Sequence, residues 1–152
     1  MLEWGHKRGA VAPILLDGEQ VATVDPEFWR EGAELDIAGQ RWEFGRDGRD
    51  RVARVAGDHR VALRATRKGL FSSAWLIDGG GVSYEIGPQF FSSTHRVLRD
   101  GVSVGTAPPA GFFSSRACLD VDASVPPVHQ LFLLWISHII RRRSAAAGAA
   151  SS

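Results

Sequence analysis

The segment "VPPVHQLFLLWISHIIRRR" at 125–143 restricts the fold more than any other part of the chain. Pro126 and Pro127 suit a first helical turn, where a missing N–H donor is no loss. Ser124 stands where an N-cap belongs, and Arg141, Arg142 and Arg143 stand where cations favour a helix C-terminus. Between them lie nine large apolar side chains: Val128, Leu131, Phe132, Leu133, Leu134, Trp135, Ile136, Ile139 and Ile140. They occupy every side of a helix rather than one stripe, so the helix has to be surrounded, by protein or by lipid. The sixteen residues from Val125 to Ile140 span roughly 24 Å at ~1.5 Å each. A bilayer crossing needs about 20 apolar residues. The segment is short for lipid and of the right length to thread a small closed sheet.

The rest of the chain supplies such a sheet. From residue 10 to 121 apolar and polar residues alternate between turn signals spaced for short antiparallel strands. "VAPILLDGEQVATV" reads as a hairpin about Asp17-Gly18, a pair suited to a two-residue turn. Further strand ends fall at Ala38-Gly39, Asp47-Gly48, Gly57-Asp58, Lys68-Gly69, Asp78-Gly79 and Asp100-Gly101. "PEFWRE" at 26–31 reads equally as a helical turn or a short edge strand. The expected fold is mainly β: a closed antiparallel barrel of about 11–12 strands, with a hydrophobic C-terminal helix over about 126–141 threaded through its centre. It forms one domain over 1–143, followed by a low-complexity, disordered tail at 144–152.

One short word is written three times, as "GLFSS" at 69–73, "QFFSS" at 89–93 and "GFFSS" at 111–115. Read as pleated strands, the copies mark successive barrel walls. Phe71, Ser73, Trp75 and Ile77 then share an inner face with Phe91, Ser93, His95 and Val97, and with Phe113, Ser115, Ala117 and Leu119. The rings are expected to close one end, and Ser93 and Ser115 to face the helix at close range. Plain pleated packing of common residues gives similar words.

The hairpin series "YEIGPQFFSSTHRVLRDGVSVGTAPPAGFFSSRACLDV" followed by "VPPVHQLFLLWISHII" resembles the tubby C-terminal fold. LURP-one-related proteins and phospholipid scramblases share that fold, and "AGQRWEF" resembles a strand motif of its small bacterial members. The resemblance covers about 10–143 and is one of pattern and order. It implies membrane-linked biology, because tubby domains bind phosphoinositides and scramblases act at membranes. The phosphoinositide-binding residues of tubby have no matching positions here, and the scramblase calcium segment and cysteine-rich stretch are absent.

Several chemistries lack their residues. Cys118 is the single cysteine, so there is neither an internal disulfide nor a zinc knuckle; it falls on the outward face as a passive thiol. His129 and His138 are nine apart, which is not a helical ligand spacing, and His6, His59 and His95 show none either, so no metal is expected. "DGGG" at 78–81 lies between strands and reads as a hairpin turn, not a phosphate cradle. Ser72, Ser92 or Ser114 with His95 lacks a nucleophile elbow, and His95 reads as a core histidine. No catalytic constellation and no cofactor are expected. "MLEWGHKRGA" has no apolar run of signal-peptide length, so the expected location is cytoplasmic.

Charge gives the one surface feature that points to a partner. Residues 1–40 carry three basic and eight acidic groups, whereas 41–68 carry nine basic and four acidic. Arg60 and Arg64 alternate with Val61, Leu63 and Ala65, with Arg51, Arg54, Arg67 and Lys68 near strand ends. These six form the candidate anion-binding face, suited to anionic phospholipid or the inner membrane surface. Nucleic acid fits less well, because Asp47, Asp50 and Asp58 interrupt the run and no aromatic platform accompanies it. The expected function is a non-catalytic binding or membrane-peripheral module. The alternatives are a tail-anchored protein that uses the C-terminal helix, or a scaffold with no lipid role.

Overall fold

A computed structural model describes residues 1–4, 12–24, 33–89, 91–109 and 118–151. Its alternating segments form twelve strands. They are β1 (Leu2–Trp4), β2 (Ala12–Leu16), β3 (Glu19–Val24), β4 (Ala33–Ile37), β5 (Gln40–Asp47) and β6 (Asp50–Val55), then β7 (Leu63–Arg67), β8 (Trp75–Gly79), β9 (Val82–Pro88), β10 (His95–Arg99), β11 (Val102–Ala107) and β12 (Cys118–Val121). Each pairs antiparallel with its sequence neighbours, and β1 closes the barrel on β12 through Leu2↔Leu119 and Glu3↔Cys118. An even number of up-and-down strands leaves the first and last antiparallel, so closure removes every edge. The closing strand β1 has three residues and precedes the stretch in which alternation is legible. "PEFWRE" lies outside the described residues.

Four hairpins turn on two residues that both have positive φ: Asp17-Gly18, Ala38-Gly39, Gly80-Gly81 and Asp100-Gly101. This is the type I′ geometry that matches strand twist. The turn expected at Asp78-Gly79 sits further on, because β8 continues through Gly79 and the next two glycines make the bend.

One helix, α1 (Pro127–Ser151), runs through the barrel. Gln130 through Ser137 are all buried, every side of the helix included. Phe44 of β5 meets the Phe132 ring edge-on at 5.3 Å and Trp135 at 5.8 Å. Ala22, Ala53, Ala65 and Ala107 give the inner wall small side chains where the helix passes. Among the described residues no helix is long and apolar enough to cross a membrane.

Both helix ends differ from expectation. Pro127 is the first helical residue, and Gln130 N–H closes the first turn on the Pro126 carbonyl at 2.9 Å. Ser124 therefore does not cap it. Its Oγ accepts from Arg99 at 3.0 Å, and its N–H donates to Asp122 at 2.8 Å. The helix also continues beyond 143 to Ser151, where a disordered tail was expected. Alanine has the best helix propensity, and no proline interrupts "SAAAGAAS". Arg141–Arg143 are thus interior to the helix rather than at its end.

The first two copies of the repeated word are not walls of the barrel. The copies at 69–73 and 89–93 fall between strands, with Phe71 and Phe91 fully exposed at 103% and 108%. Ser73 and Ser93 are exposed as well, not turned toward the helix. Trp75, Ile77, His95, Val97 and Leu119 are buried as the alternation requires, and the period fails just upstream of β8 and β10. There the chain bends: Ser72 N–H donates to the Gly69 carbonyl and Ser92 N–H to the Gln89 carbonyl, both at 3.4 Å. The third copy, with Phe113 and Ser115, lies outside the described residues.

A threaded helix makes an unusual demand on mutagenesis. Leu131 and Leu133 point about 200° apart at ~100° per residue, yet both are fully buried. Leu131→Ala and Leu133→Ala are each expected to cost about 2–5 kcal/mol in denaturant unfolding. A near-zero cost at either position means that one side of the helix faces solvent.

Candidate anion-binding site

The barrel has two unlike ends. The four turns with positive φ at both central residues, after β2, β4, β8 and β10, share one end with the longer β6–β7 connection and the start of α1. Connections after β5, β7 and β9 share the other end, where α1 leaves the barrel. Arg141 fixes that exit by donating to the Ser93 carbonyl at 2.8 Å and the Ala107 carbonyl at 2.6 Å.

Strand alternation continues to this exit with a change of chemistry. The inner face of β5 passes from Phe44 to Arg46, and that of β6 runs back from Ala53 to Arg51; Phe44↔Ala53 and Arg46↔Arg51 are cross-strand pairs. On β7 the same face passes from Ala65 to Arg67, which sits opposite Trp75 of β8. Three strands thus end their inner face in arginine, Arg46 opposite Arg51 and Arg67 one inward step beyond the Ala65 that pairs with Arg51. Like charges directly opposed across a sheet are destabilising, so this end favours an anion. Arg49, in the β5–β6 turn, and Arg143, from the helix, complete a cavity of about 560 Å³. Trp75 forms part of its wall, and the guanidinium groups of Arg143 and Arg51 lie 5.2 and 5.8 Å from that ring centroid. A second cavity of about 240 Å³ adjoins it, sharing Arg51 and Arg143 and adding Arg142. Burial, followed by the positive charges of Arg67 and Arg46, depresses the Arg143 pKa.

The six residues expected to form one basic face are divided by the structure. Arg51 and Arg67 line the mouth. Arg64 bridges Asp47 and Asp50 on the outside, at 2.8 Å each. Arg60 pairs with Asp58 at 3.2 Å, and Lys68 with Glu85 at 2.7 Å. Arg54 stands opposite Glu43 in the β5–β6 register. Hydrogen bonds from Arg60, its backbone N–H first, hold the Asp58 carboxyl below its usual range. Sequence reasoning missed Arg46 and Arg49 and placed Arg142 and Arg143 at a helix terminus. Carrying the period from Phe44, Ala53 and Ala65 one step outward finds the mouth arginines of β5, β6 and β7.

The other candidate groups are engaged elsewhere. His95 is buried and its Nδ1 lies 2.8 Å from Ser137 Oγ on the helix. His129 Nδ1 lies 2.8 Å from the Tyr84 hydroxyl. Ser72 and Ser92 Oγ accept from the Ala74 and Thr94 N–H groups, both at 3.1 Å. Burial raises the Cys118 thiol pKa, with Glu3 adding to the shift, which disfavours the thiolate. Among the described residues no cluster of His, Cys, Asp or Glu is arranged to hold a metal.

The chain matches no protein-family model, no curated protein and no solved structure.

Burial, helped by the Arg141 charge, pushes His95 down to about 4 from 6.5. The unfolded chain therefore takes up a proton that the native state refuses. Stability is fully present above about pH 6.5 and falls as pH drops toward 4. Between pH 7 and 5 the native chain is expected to lose about 2 kcal/mol more than His95→Gln, read from urea midpoints at each pH. Equal slopes for the two chains mean that His95 is not held neutral by the barrel.

Proposed function

We propose that the protein is a non-catalytic, membrane-peripheral module that takes an anionic, phosphate-bearing headgroup into the mouth of its barrel. One observation carries this reading: five arginines from three strands, a turn and the central helix line a single cavity. Guanidinium groups match phosphate oxygens in paired geometry, and several converging on one site favour a multiply charged group. The cavity volume falls within the range of small-ligand sites, about 300–1,000 Å³. The barrel threaded by its terminal helix adds support from the resemblance to tubby domains and scramblases, both membrane-linked. The cytoplasmic leaflet, rich in anionic lipid, is the surface such a mouth would meet. Tail anchoring is less well supported, because the apolar faces of α1 are already covered by strands.

The reading is tested by flotation with phosphatidylcholine vesicles containing phosphatidylserine. Binding is expected at low salt and weakens as the Debye length falls from about 30 Å at 0.01 M to about 10 Å at 0.1 M. The double variant Arg49→Glu/Arg67→Glu is expected to abolish it, while Arg60→Glu/Arg64→Glu retains most of it. The opposite pattern moves the site to the outer strand face. Absence of binding by a folded protein at any salt favours a scaffold with no lipid role.

A further inference from the structure

Two copies of the Phe-Ser-Ser word, at 69–73 and 89–93, close with the same hydrogen bonds, and they sit at the arginine-lined end. In each, a four-residue turn closes from the serine N–H to a carbonyl three residues back: Ser72 to Gly69 and Ser92 to Gln89. The same serine then accepts the N–H two residues ahead, Ala74 or Thr94, at 3.1 Å. Turn and serine clamp together hold the third residue of the turn, Phe71 or Phe91, at the tip. Both rings are fully exposed, and Leu70 beside Phe71 is 78% exposed. Phe91 is held at φ 58°, a region a bulky side chain rarely adopts. A ring kept at such a backbone angle and turned to water contributes nothing to the core.

We infer that Leu70, Phe71 and Phe91 are the insertion surface of the module. They enter the interface of an anionic bilayer while the mouth arginines take its headgroups. The inference rests on reading the mouth as a headgroup site and adds how the barrel is oriented. The occupant is argued from charge and continuity. The loop that carries Phe71 also contributes Ser73 to the cavity wall, and Arg67 donates to the Ser72 carbonyl at 3.4 Å. An anion seated in the mouth therefore lies directly beside a projecting ring. Apolar insertion and a polybasic patch are the two signals that together give stable attachment where either alone is marginal. The opposite end has no matching pair of projecting rings among the described residues.

The test uses the full chain and Phe71→Ser/Phe91→Ser, whose exposed sites leave the unfolding midpoint unchanged. Two readouts are taken: partitioning onto phosphatidylcholine–phosphatidylserine vesicles at 0.1 M salt, and calorimetric binding of inorganic pyrophosphate. Each buried ring is worth roughly tenfold in affinity, so the double variant is expected to bind vesicles about 100-fold more weakly. Its pyrophosphate affinity is expected to match that of the native chain. Equal vesicle binding by both chains, with Arg49→Glu/Arg67→Glu losing it, overturns the insertion surface and leaves the headgroup site standing. Loss of pyrophosphate binding in Phe71→Ser/Phe91→Ser also overturns it, since the rings then shape the cavity itself. Concentration-dependent dimers that the double variant abolishes, without vesicle binding by the native chain, make the occupant a second copy and overturn both readings.

Discussion

A helix that is apolar on all sides has to be enclosed, and this single requirement organises the molecule. Leu131 through Ile136 offer no face to water, so the strands must form a tube around them. A tube of antiparallel strands closes without defects only when their number is even, which assigns β1 its role despite its three residues. Enclosure also fixes polarity. The helix starts at one end and leaves at the other, so "RRR" emerges beside the β5–β6, β7–β8 and β9–β10 connections. The chemical asymmetry of the two ends follows from how the core is filled.

The basic mouth is the core continued into solvent. The period-2 rule that turns Phe44, Ala53 and Ala65 inward turns Arg46, Arg51 and Arg67 inward one step later. There the barrel opens, and the buried Arg51 holds its guanidinium 5.8 Å from the Trp75 ring while donating to the Asp50 carbonyl at 3.1 Å. Outer-face cations meet a different fate. Arg64 and Lys68 stand among Asp47, Asp50 and Glu85, and each settles into a surface pair worth little energetically. Total charge is a poor guide here; the parity of a residue within its strand decides whether its charge lines the mouth or the outer face.

The barrel and its threaded helix were legible because they rest on strong local signals: strict alternation, Asp-Gly and Gly-Gly turns, and a long apolar run. The misread parts share one cause. Alternation read through "GLFSS" and "QFFSS" points Phe71 and Phe91 inward, but a β-turn there resets the side-chain phase and leaves both rings exposed. The burial of Trp75 and His95 shows the phase correct again two residues later. At the C-terminus, "SAAAGAAS" carries no pattern to mark it as helix, and propensity continued from a preformed helix decides the outcome. Charge and alternation place Arg60 and Arg64 on one face, and neither shows that Asp58, Asp47 and Asp50 pair with them.

Native-state hydrogen exchange tests the enclosure most directly. If strands surround α1 on all sides, the amides of Leu131–Ile136 can exchange only when the whole barrel opens. Their exchange free energies are then expected to equal those of β9 and β10 and the global unfolding free energy, with the same denaturant dependence. Helix amides that exchange through a smaller opening, while the strand amides stay protected, would contradict a threaded helix and the placing of the arginine mouth that follows from it.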